Sequence, residues 1–180
     1  AYCSKLTSVV IPNTVTDIGN QAFMDCANLT SLRLPNSITS ISQETFANSG
    51  LTSIDIPIGV TSIGRDAFTN CHLTSVAIPT TTTSIEYEAF SECADLQTVI
   101  IPNSVTSIAE YAFINCFNLT IYCESDTAPE TWAYDWNFSQ CPVVWGYTIR
   151  KAWTVSLSAN NSAYGSVSGG ATVWDGSRVT

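Results

Sequence analysis

Seven cysteines are the most reactive side chains of this 180-residue sequence, and their spacing indicates what chemistry they could do. Cysteine recurs at one position of a regular pattern, as Cys3, Cys26, Cys71, Cys93 and Cys116. Regular placement predicts a buried column of small, polarizable side chains. Ser49 stands at the same position, so a thiol is not required there. The sequence has no C-x-x-C pair, which argues against a structural zinc site.

Cys123 and Cys141 lie outside this column. A disulfide between them would brace the C-terminal part of the chain, and the sequence leaves that alternative open. Because the number of cysteines is odd, at least one thiol stays free whichever pairs form.

The single histidine and the carboxylates give little support for catalysis. His72 directly follows Cys71, an order that suggests a Cys–His nucleophile. Adjacent residues on a tight loop point in different directions, however, so we favour an ordinary loop histidine. Glu86, Glu88 and Glu92 belong to one repeat, and no cleft is predicted in which two of them could act as acid and base. We predict no catalytic residue, no metal site and no cofactor.

Composition narrows the range of partners. The chain is 45% hydrophobic, which is typical of a folded protein, whereas its charged content of 12% is roughly half the usual share. Six Lys and Arg against fifteen Asp and Glu give a net charge of −9, which argues against nucleic acid and anionic membranes. No apolar run approaches the ~20 residues of a membrane-spanning helix.

A regular repeat with a period of about 22 to 23 residues organises the chain. Proline recurs at this interval, at Pro12, Pro35, Pro57, Pro79 and Pro102. Phenylalanine keeps the same interval, at Phe23, Phe46, Phe68, Phe90 and Phe113. The pattern Leu-x-x-apolar-x-apolar-Pro predicts a strand with alternate residues buried that ends at the proline, which cannot donate to a strand ladder.

After each proline we expect a second short extended stretch and then an Ala-Phe segment that forms one helical turn. One unit cannot bury its apolar side alone, so the units must stack, with each strand pairing to its neighbour. Some units are one residue longer than others, and the extra residue falls between Phe and Leu. This variation predicts that insertions are tolerated in that turn.

The motifs L-T-S-V-x-I-P, V-T-S-I-G and A-F-x-x-C resemble the BspA type of leucine-rich repeat, over roughly residues 1–147. Departures from the pattern are Thr45, Ser49, Thr82 and Ile58-Gly59. The resemblance implies a leucine-rich repeat solenoid, β-rich with short helical turns. It also implies a secreted or surface-attached bacterial adhesion or interaction protein without catalytic activity.

We assign residues 1–150 to the solenoid, with a C-terminal cap over about residues 119–150. Trp132, Trp136 and Trp145 arrive close together there, and large aromatics covering the open end of the core are the simple account. A platform for stacking sugars is the alternative. At the other end the chain begins inside a unit, so we expect a fragment whose N-terminal side is cut.

The sequence pattern changes after Lys151. Stretches in which apolar and polar residues strictly alternate, together with turn-rich stretches, predict a short all-β segment. Residues 151–180 resemble the start of an internalin B-type β repeat module. The sequence stops at Thr180 where a strand is predicted to start, so we expect truncation on this side as well.

Stacking places the outward strand positions in two columns. One is uniform, with Ser8, Ser31, Ser53, Ser75 and Thr98, and keeps a sheet face soluble. The other is mixed, with Val10, Arg33, Asp55, Ala77 and Ile100. A mixed column on a regular frame is where partner specificity could be encoded, although these could equally be unconstrained exposed positions.

Three hypotheses follow for function. The first is a non-enzymatic recognition or adhesion module, secreted or on the cell surface, that binds a host or neighbouring-cell protein through the mixed column. The second is a spacer that binds nothing itself. The third is carbohydrate binding through the tryptophans of the cap.

Overall fold

The computed structural model describes residues 3–148, 152–155 and 171–174. The chain divides into two compact units, Ala1–Tyr147 and Thr148–Thr180. In the second unit, β9 (Ala152–Val155) and β10 (Ala171–Trp174) form an antiparallel pair. The rest of that unit, on which the resemblance to internalin B-type repeats depends, lies outside the described residues. Within the described residues, no helix is long and apolar enough to cross a membrane.

The first unit is a solenoid, and its coils begin at successive leucines. We number coils 1 to 6 from Leu6, Leu29, Leu51, Leu73, Leu96 and Leu119. Coils 2 to 6 contribute short strands to parallel sheets, which is the arrangement that stacked repeats predict, and coil 1 contributes an isolated bridge at Val10.

Two four-stranded parallel sheets run along the solenoid. The first has the order β1-β2-β4-β6, with strands Ser40–Ile41, Ser62–Ile63, Ser84–Ile85 and Ser107–Ile108. The second has the order β3-β5-β7-β8, with strands Ser75–Ala77, Thr98–Ile101, Thr120–Cys123 and Val143–Val144. The predicted pairing of equivalent strands is confirmed for coils 4 to 6, where Ser75, Thr98 and Thr120 stand side by side.

The core lies between these sheets and a stack of phenylalanine rings. Phe23, Phe46, Phe68, Phe90 and Phe113 stack with ring centroids 5.2 to 5.6 Å apart and planes within 12° of parallel. Phe68 and Phe90 are fully buried, as are the leucines that begin coils 2 to 5. The regular interval thus places identical apolar side chains in contact, which is how the coils bury a continuous core.

The expected helical turn at the Ala-Phe segment is wrong, because the described residues contain no helix. The residues two before and two after each phenylalanine adopt positive φ instead, between 52° and 62°. These residues are Gln21, Asp25, Glu44, Asn48, Asp66, Asn70, Glu88, Glu92, Tyr111 and Asn115. Left-handed residues prevent the backbone from closing helical hydrogen bonds.

The N–H groups of this turn alternate between bonds to the next coil and bonds within the turn, such as that from the Cys71 N–H to the Phe68 carbonyl at 3.2 Å. The Phe46 N–H donates to the Ala67 carbonyl at 2.9 Å, and the Phe68 N–H donates to the Ala89 carbonyl at 2.8 Å. The phenylalanine turn is therefore a third ladder of the solenoid, since its polar groups must find partners inside a close-packed stack.

Glycine is required where coil 2 is one residue shorter than coil 1. A Cβ atom on Gly50 would lie 2.2 Å from the carbonyl oxygen of Ala27, and the Gly50 N–H donates to the Cys26 carbonyl at 3.2 Å. Only a residue without a side chain allows the two backbones to approach this closely.

Polar residues that depart from the repeat find partners in the core. The buried hydroxyl of Thr82 donates to the Val60 carbonyl at 2.8 Å, and that of Thr45 to the Ser42 carbonyl at 2.8 Å. The Ser49 hydroxyl lies 3.3 Å from the Cys71 sulfur. These hydrogen bonds offset the cost of burying a hydroxyl, so the departures leave the fold intact.

Three tryptophans pack together at the C-terminal end of the phenylalanine stack. The Trp136 ring meets the last phenylalanine of the stack, Phe113, edge to face at 6.3 Å. Trp132 lies 4.9 Å from Trp136, and its indole N–H donates to the Val105 carbonyl at 3.2 Å. Trp145 lies 6.2 Å from Trp132 and completes the cluster.

Candidate recognition face

The strand face carries the mixed column that the sequence predicts as a binding surface. Ala77 and Ile100 are direct neighbours in the register of β3 and β5, and an isolated bridge joins Val10 to Arg33. Asp55 is exposed in the corresponding segment of coil 3, which forms no regular strand. Parallel register carries Ala77 onto Ile100, as the bridge carries Val10 onto Arg33, whereas no backbone pairing joins Asp55 to Arg33 or to Ala77.

The column continues beyond the five predicted residues. Tyr122 pairs with Ile100, and Val144 pairs with Tyr122. The repeat interval places both residues in the same column, so their positions could have been predicted from the sequence. The predicted column stops at the strands that end in proline, which coil 6 lacks, and so it omits these two residues.

The solvent exposure and the chemical type of the side chains change along this column. The Val10 side chain is 90% exposed, whereas Ile100 and Tyr122 are half-buried. The Tyr122 ring lies 5.0 Å from the Tyr147 ring, so the C-terminal part of the face is apolar and aromatic. Opposite charges occupy the N-terminal part, at Arg33 and Asp55.

A cleft opens in the charged part of the face, between coils 2 and 3. Its volume is about 640 Å³, and Arg33 and Asp55 line it together with Ser31 and Ser53. Leu32, Leu34, Ile54 and Ile56 supply apolar surface, and Ser8, Val9, Asn36 and Pro57 complete the lining. The sequence does not predict this opening, since its pattern is regular across coils 2 and 3.

The cysteine column is buried and structural. Cys26, Cys71, Cys93 and Cys116 are buried as predicted, whereas Cys3 is exposed. The Cys71 thiol donates to the Phe46 carbonyl at 3.1 Å. Burial raises the pKa of the Cys71 thiol to about 11, against the weaker opposing effect of its hydrogen bond with Ser49. A thiol that stays protonated at neutral pH is a poor nucleophile.

The two remaining cysteines are not joined by a disulfide. Cys123 and Cys141 are both buried thiols. Burial raises the pKa of Cys123 to about 12 and that of Cys141 to about 11. The Cys141 thiol donates to the Cys116 carbonyl at 3.4 Å, so it lies beside the last cysteine of the column without repeating the column's bond to a phenylalanine carbonyl.

His72 does not form a pair with Cys71. Its Nδ1 atom lies 2.9 Å from Oδ2 of Asp95, and both side chains are exposed. This is an ordinary exposed contact between an imidazole and a carboxylate, and such surface contacts contribute little to stability. The carboxylate Glu88 is a separate case. It has positive φ in the coil 4 turn, and its hydrogen bond with Tyr87 is the main reason why the pKa of the Tyr87 phenol is raised.

No group of three or more His, Cys, Asp or Glu side chains converges on a possible metal position within the described residues. The carboxylates Glu86, Glu88 and Glu92 follow the outside of the coil 4 turn, and Glu86 and Glu92 are exposed. These carboxylates therefore lie at the surface of the coil 4 turn.

Stacking of sugars on Trp132 and Trp136 is not supported by the positions of their rings. Trp132 and Trp136 are only 7% and 8% exposed, because their rings face each other and the core. A sugar needs an open aromatic face, which these two residues lack. Trp145, the third tryptophan of the carbohydrate hypothesis, is half-buried, so of the three it alone keeps a partly accessible ring.

The fold and its face define a leucine-rich repeat solenoid. A family profile described as the BspA type leucine rich repeat region matches the chain in six copies, over residues 1–120 and 61–142. The chain belongs to this family. No curated protein matches it significantly.

Solved structures of bacterial leucine-rich repeat proteins are similar to this chain. A leucine-rich repeat protein from Bacteroides ovatus is 27% identical, with a TM-score of 0.57, over 72% of this chain and 43% of its own. A leucine rich cell surface protein from Faecalibacterium prausnitzii is 37% identical, with a TM-score of 0.62, over 64% and 31%. The leucine-rich repeat protein of T. pallidum is 31% identical, with a TM-score of 0.63, over 66% and 59%. The chain thus spans 31% to 59% of these relatives.

Proposed function

We propose that this chain is a non-enzymatic recognition module of a secreted or surface-attached bacterial protein, and that it binds a protein partner through the strand face. The observation that carries the proposal is the column from Val10 to Val144. Side chains of different chemical type stand there, joined in parallel register from Ala77 to Val144 and by a single bridge from Val10 to Arg33. Family membership supports a recognition or adhesion role, and one similar protein is described as a cell surface protein.

The physical character of the face favours a protein partner. Opposite charges stand at Arg33 and Asp55, and apolar or aromatic groups stand at Ile100, Tyr122 and Tyr147. Protein interfaces combine an apolar, aromatic centre with polar surroundings. Individual contacts of this kind are modest, and display of many copies multiplies them through avidity.

Binding to a panel of purified extracellular-matrix and cell-surface proteins tests the proposal. The chain and a face variant, Arg33→Ala with Asp55→Ala and Ile100→Ala, are immobilised and compared. A matched control carries Arg65→Ala, Asp95→Ala and Ile114→Ala, which removes the same residue types elsewhere. We expect a protein that binds the chain and the control but loses affinity for the face variant.

The alternative is a spacer that only holds other domains apart. A uniform hydroxyl column, from Ser8 to Thr98, fits that alternative equally well because it keeps the surface soluble. The spacer predicts no binding to any member of the panel. Equal binding by the chain, the face variant and the control would instead move the interaction to another surface.

A further inference from the structure

We infer that the cleft between coils 2 and 3 is a binding site for an extended peptide segment in which an acidic and a basic residue flank an apolar one. This inference rests on the proposed function and names the part of the strand face and the chemistry of the partner. It is carried by three features of the cleft: an interrupted backbone ladder, an apolar floor and two opposite charges.

The backbone ladder between coils 2 and 3 is interrupted at the cleft. Thr52 N–H donates to the Thr30 carbonyl at 3.1 Å, and Thr61 N–H donates to the Thr39 carbonyl at 2.8 Å. Between these bonds, no backbone hydrogen bond joins residues 31–36 to residues 53–58 within the described chain. Main-chain groups that lack a ladder are the ones that an added strand satisfies.

The floor of the cleft is apolar and accessible. Leu32 and Ile56 are half-buried, and Ile54 is 8% exposed. The equivalent residues of coil 5, Val99 and Ile101, are almost completely buried. The cleft therefore offers a pocket for one apolar side chain, at the place where the same face is closed in the later coils.

Two opposite charges flank this floor. Arg33 and Asp55 both line the cleft, and neither belongs to an ion pair within residues 3–148. A peptide can offer a carboxylate to the guanidinium and a cation to the carboxylate, with its main chain paired between them. A neutral glycan would bond to the serine hydroxyls but would leave both charges and the apolar floor without partners. The combination thus favours a peptide.

The missing ladder bonds extend to coil 4, because no backbone hydrogen bond joins residues 53–58 to residues 75–80 within the described chain. The apolar floor and the two charges are therefore what distinguish the cleft. In coils 4 and 5 the corresponding segments are joined, with the Ile78 N–H donating to the Ile100 carbonyl at 3.0 Å. The register of β3 and β5 leaves no space there for another strand. Side chains alone could contact a partner on that part of the face.

Selection from a phage-displayed library of random linear peptides, on the whole chain, tests the inference. We expect enriched sequences that carry an acidic and a basic residue around an apolar one. Binding of a selected synthetic peptide is then measured by fluorescence polarisation. Arg33→Glu should raise its Kd by roughly tenfold or more, while the matched control Arg65→Glu should change it by less than about twofold.

Two further readouts separate strand pairing from mere charge attraction. N-methylation at successive peptide bonds should weaken binding at alternate positions, because alternate N–H groups of a strand face the same neighbour. Reversal of both charges, with Arg33→Glu and Asp55→Lys, should restore binding to a peptide whose charges are exchanged. Circular dichroism confirms that each variant is folded.

Failure to enrich any linear peptide would overturn this inference, as would uniform tolerance of N-methylation. Either result would leave the proposed function standing, provided that the face variant still loses affinity for the protein partner in the panel experiment. If the Arg33→Glu variant still binds both the peptide and the protein partner with unchanged affinity, the cleft is not the binding site.

Discussion

The thiol of Cys93 donates a hydrogen bond to the backbone carbonyl of Phe68, one coil earlier, at 3.1 Å. The Cys116 thiol makes the same bond to the Phe90 carbonyl at 3.0 Å. The Phe68 carbonyl is thereby tied to the next coil as well as to its own turn, where it also accepts from the Cys71 N–H at 3.2 Å. The cysteines are thus a repeated cross-link of the core, made by hydrogen bonds rather than by disulfides.

Replacement of Cys93 separates this bond from simple space filling. Cys93→Ser keeps a donor at the position that Ser49 occupies naturally in coil 2, whereas Cys93→Ala removes it and leaves a small cavity. We expect Cys93→Ala to lower the free energy of unfolding by about 1–2 kcal/mol and Cys93→Ser by less. Urea unfolding measures both values. Equal losses would show that the sulfur only fills space.

Stability should fall at alkaline pH because of the buried thiols. The pKa of Cys71 is raised from 9.0 to about 11 by burial, so the folded state holds its proton more tightly than the unfolded chain. This contribution is complete below pH 9 and is lost as the pH rises from 9 towards 11, by roughly 2–3 kcal/mol. Urea unfolding as a function of pH measures the loss. Cys71→Ser should show a smaller loss over the same range, and an equal one would contradict the assignment.

Gly50→Ala should destabilise the solenoid by about 1–3 kcal/mol, because the added Cβ would meet the Ala27 carbonyl 2.2 Å away. Gly19→Ala is the control, since a Cβ there would meet nothing within 4 Å. Thermal unfolding of the two variants gives the comparison. Similar melting temperatures would mean that the turn before Leu51 relaxes freely.

Loss of the aromatic cap should open the end of the core. Trp136→Ala uncovers Phe113 and should cost about 3–5 kcal/mol of the free energy of unfolding. Tyr134→Ala is the control, because that ring is 98% exposed. Denaturant unfolding followed by circular dichroism measures both. A small effect of Trp136→Ala would show that the cap is not what closes the stack.

The sequence predicted what depends on the period, and it missed what depends on the backbone. The phenylalanine stack and most of the cysteine column follow from side chains that recur at the repeat interval, and the tryptophan cap follows from where that repeat ends. The turn at Phe68 was expected to be helical, yet Asp66 and Asn70 adopt positive φ. That choice is made by hydrogen bonds to the next coil, which a single repeat does not reveal.

The candidate face likewise has features that the sequence predicts and one that it does not. Periodicity placed Arg33 and Asp55 in one column, and the structure keeps both at the surface. The cleft between them was not predicted, because the apolar pattern of coils 2 and 3 matches that of the closed coils. Its opening depends on how neighbouring backbones approach, and therefore only appears in three dimensions.

The strand face has rivals elsewhere on the surface, where large aromatics are exposed near the cap. Phe117 is 79% exposed and Phe138 is 55% exposed, and either could contact a partner. Exposed aromatic residues are enriched in protein interfaces, so a test must distinguish this region from the strand face.

Amide hydrogen exchange of the chain with and without a bound partner protein, taken from the panel experiment, tests the central claim most directly. We predict that binding slows exchange in the strand face, over residues 31–34, 53–57, 75–77 and 98–101, and leaves the turns around Phe68 and Phe90 unchanged. Protection confined to the cap around Phe117 and Phe138, or to the phenylalanine turns, would contradict recognition through the strand face.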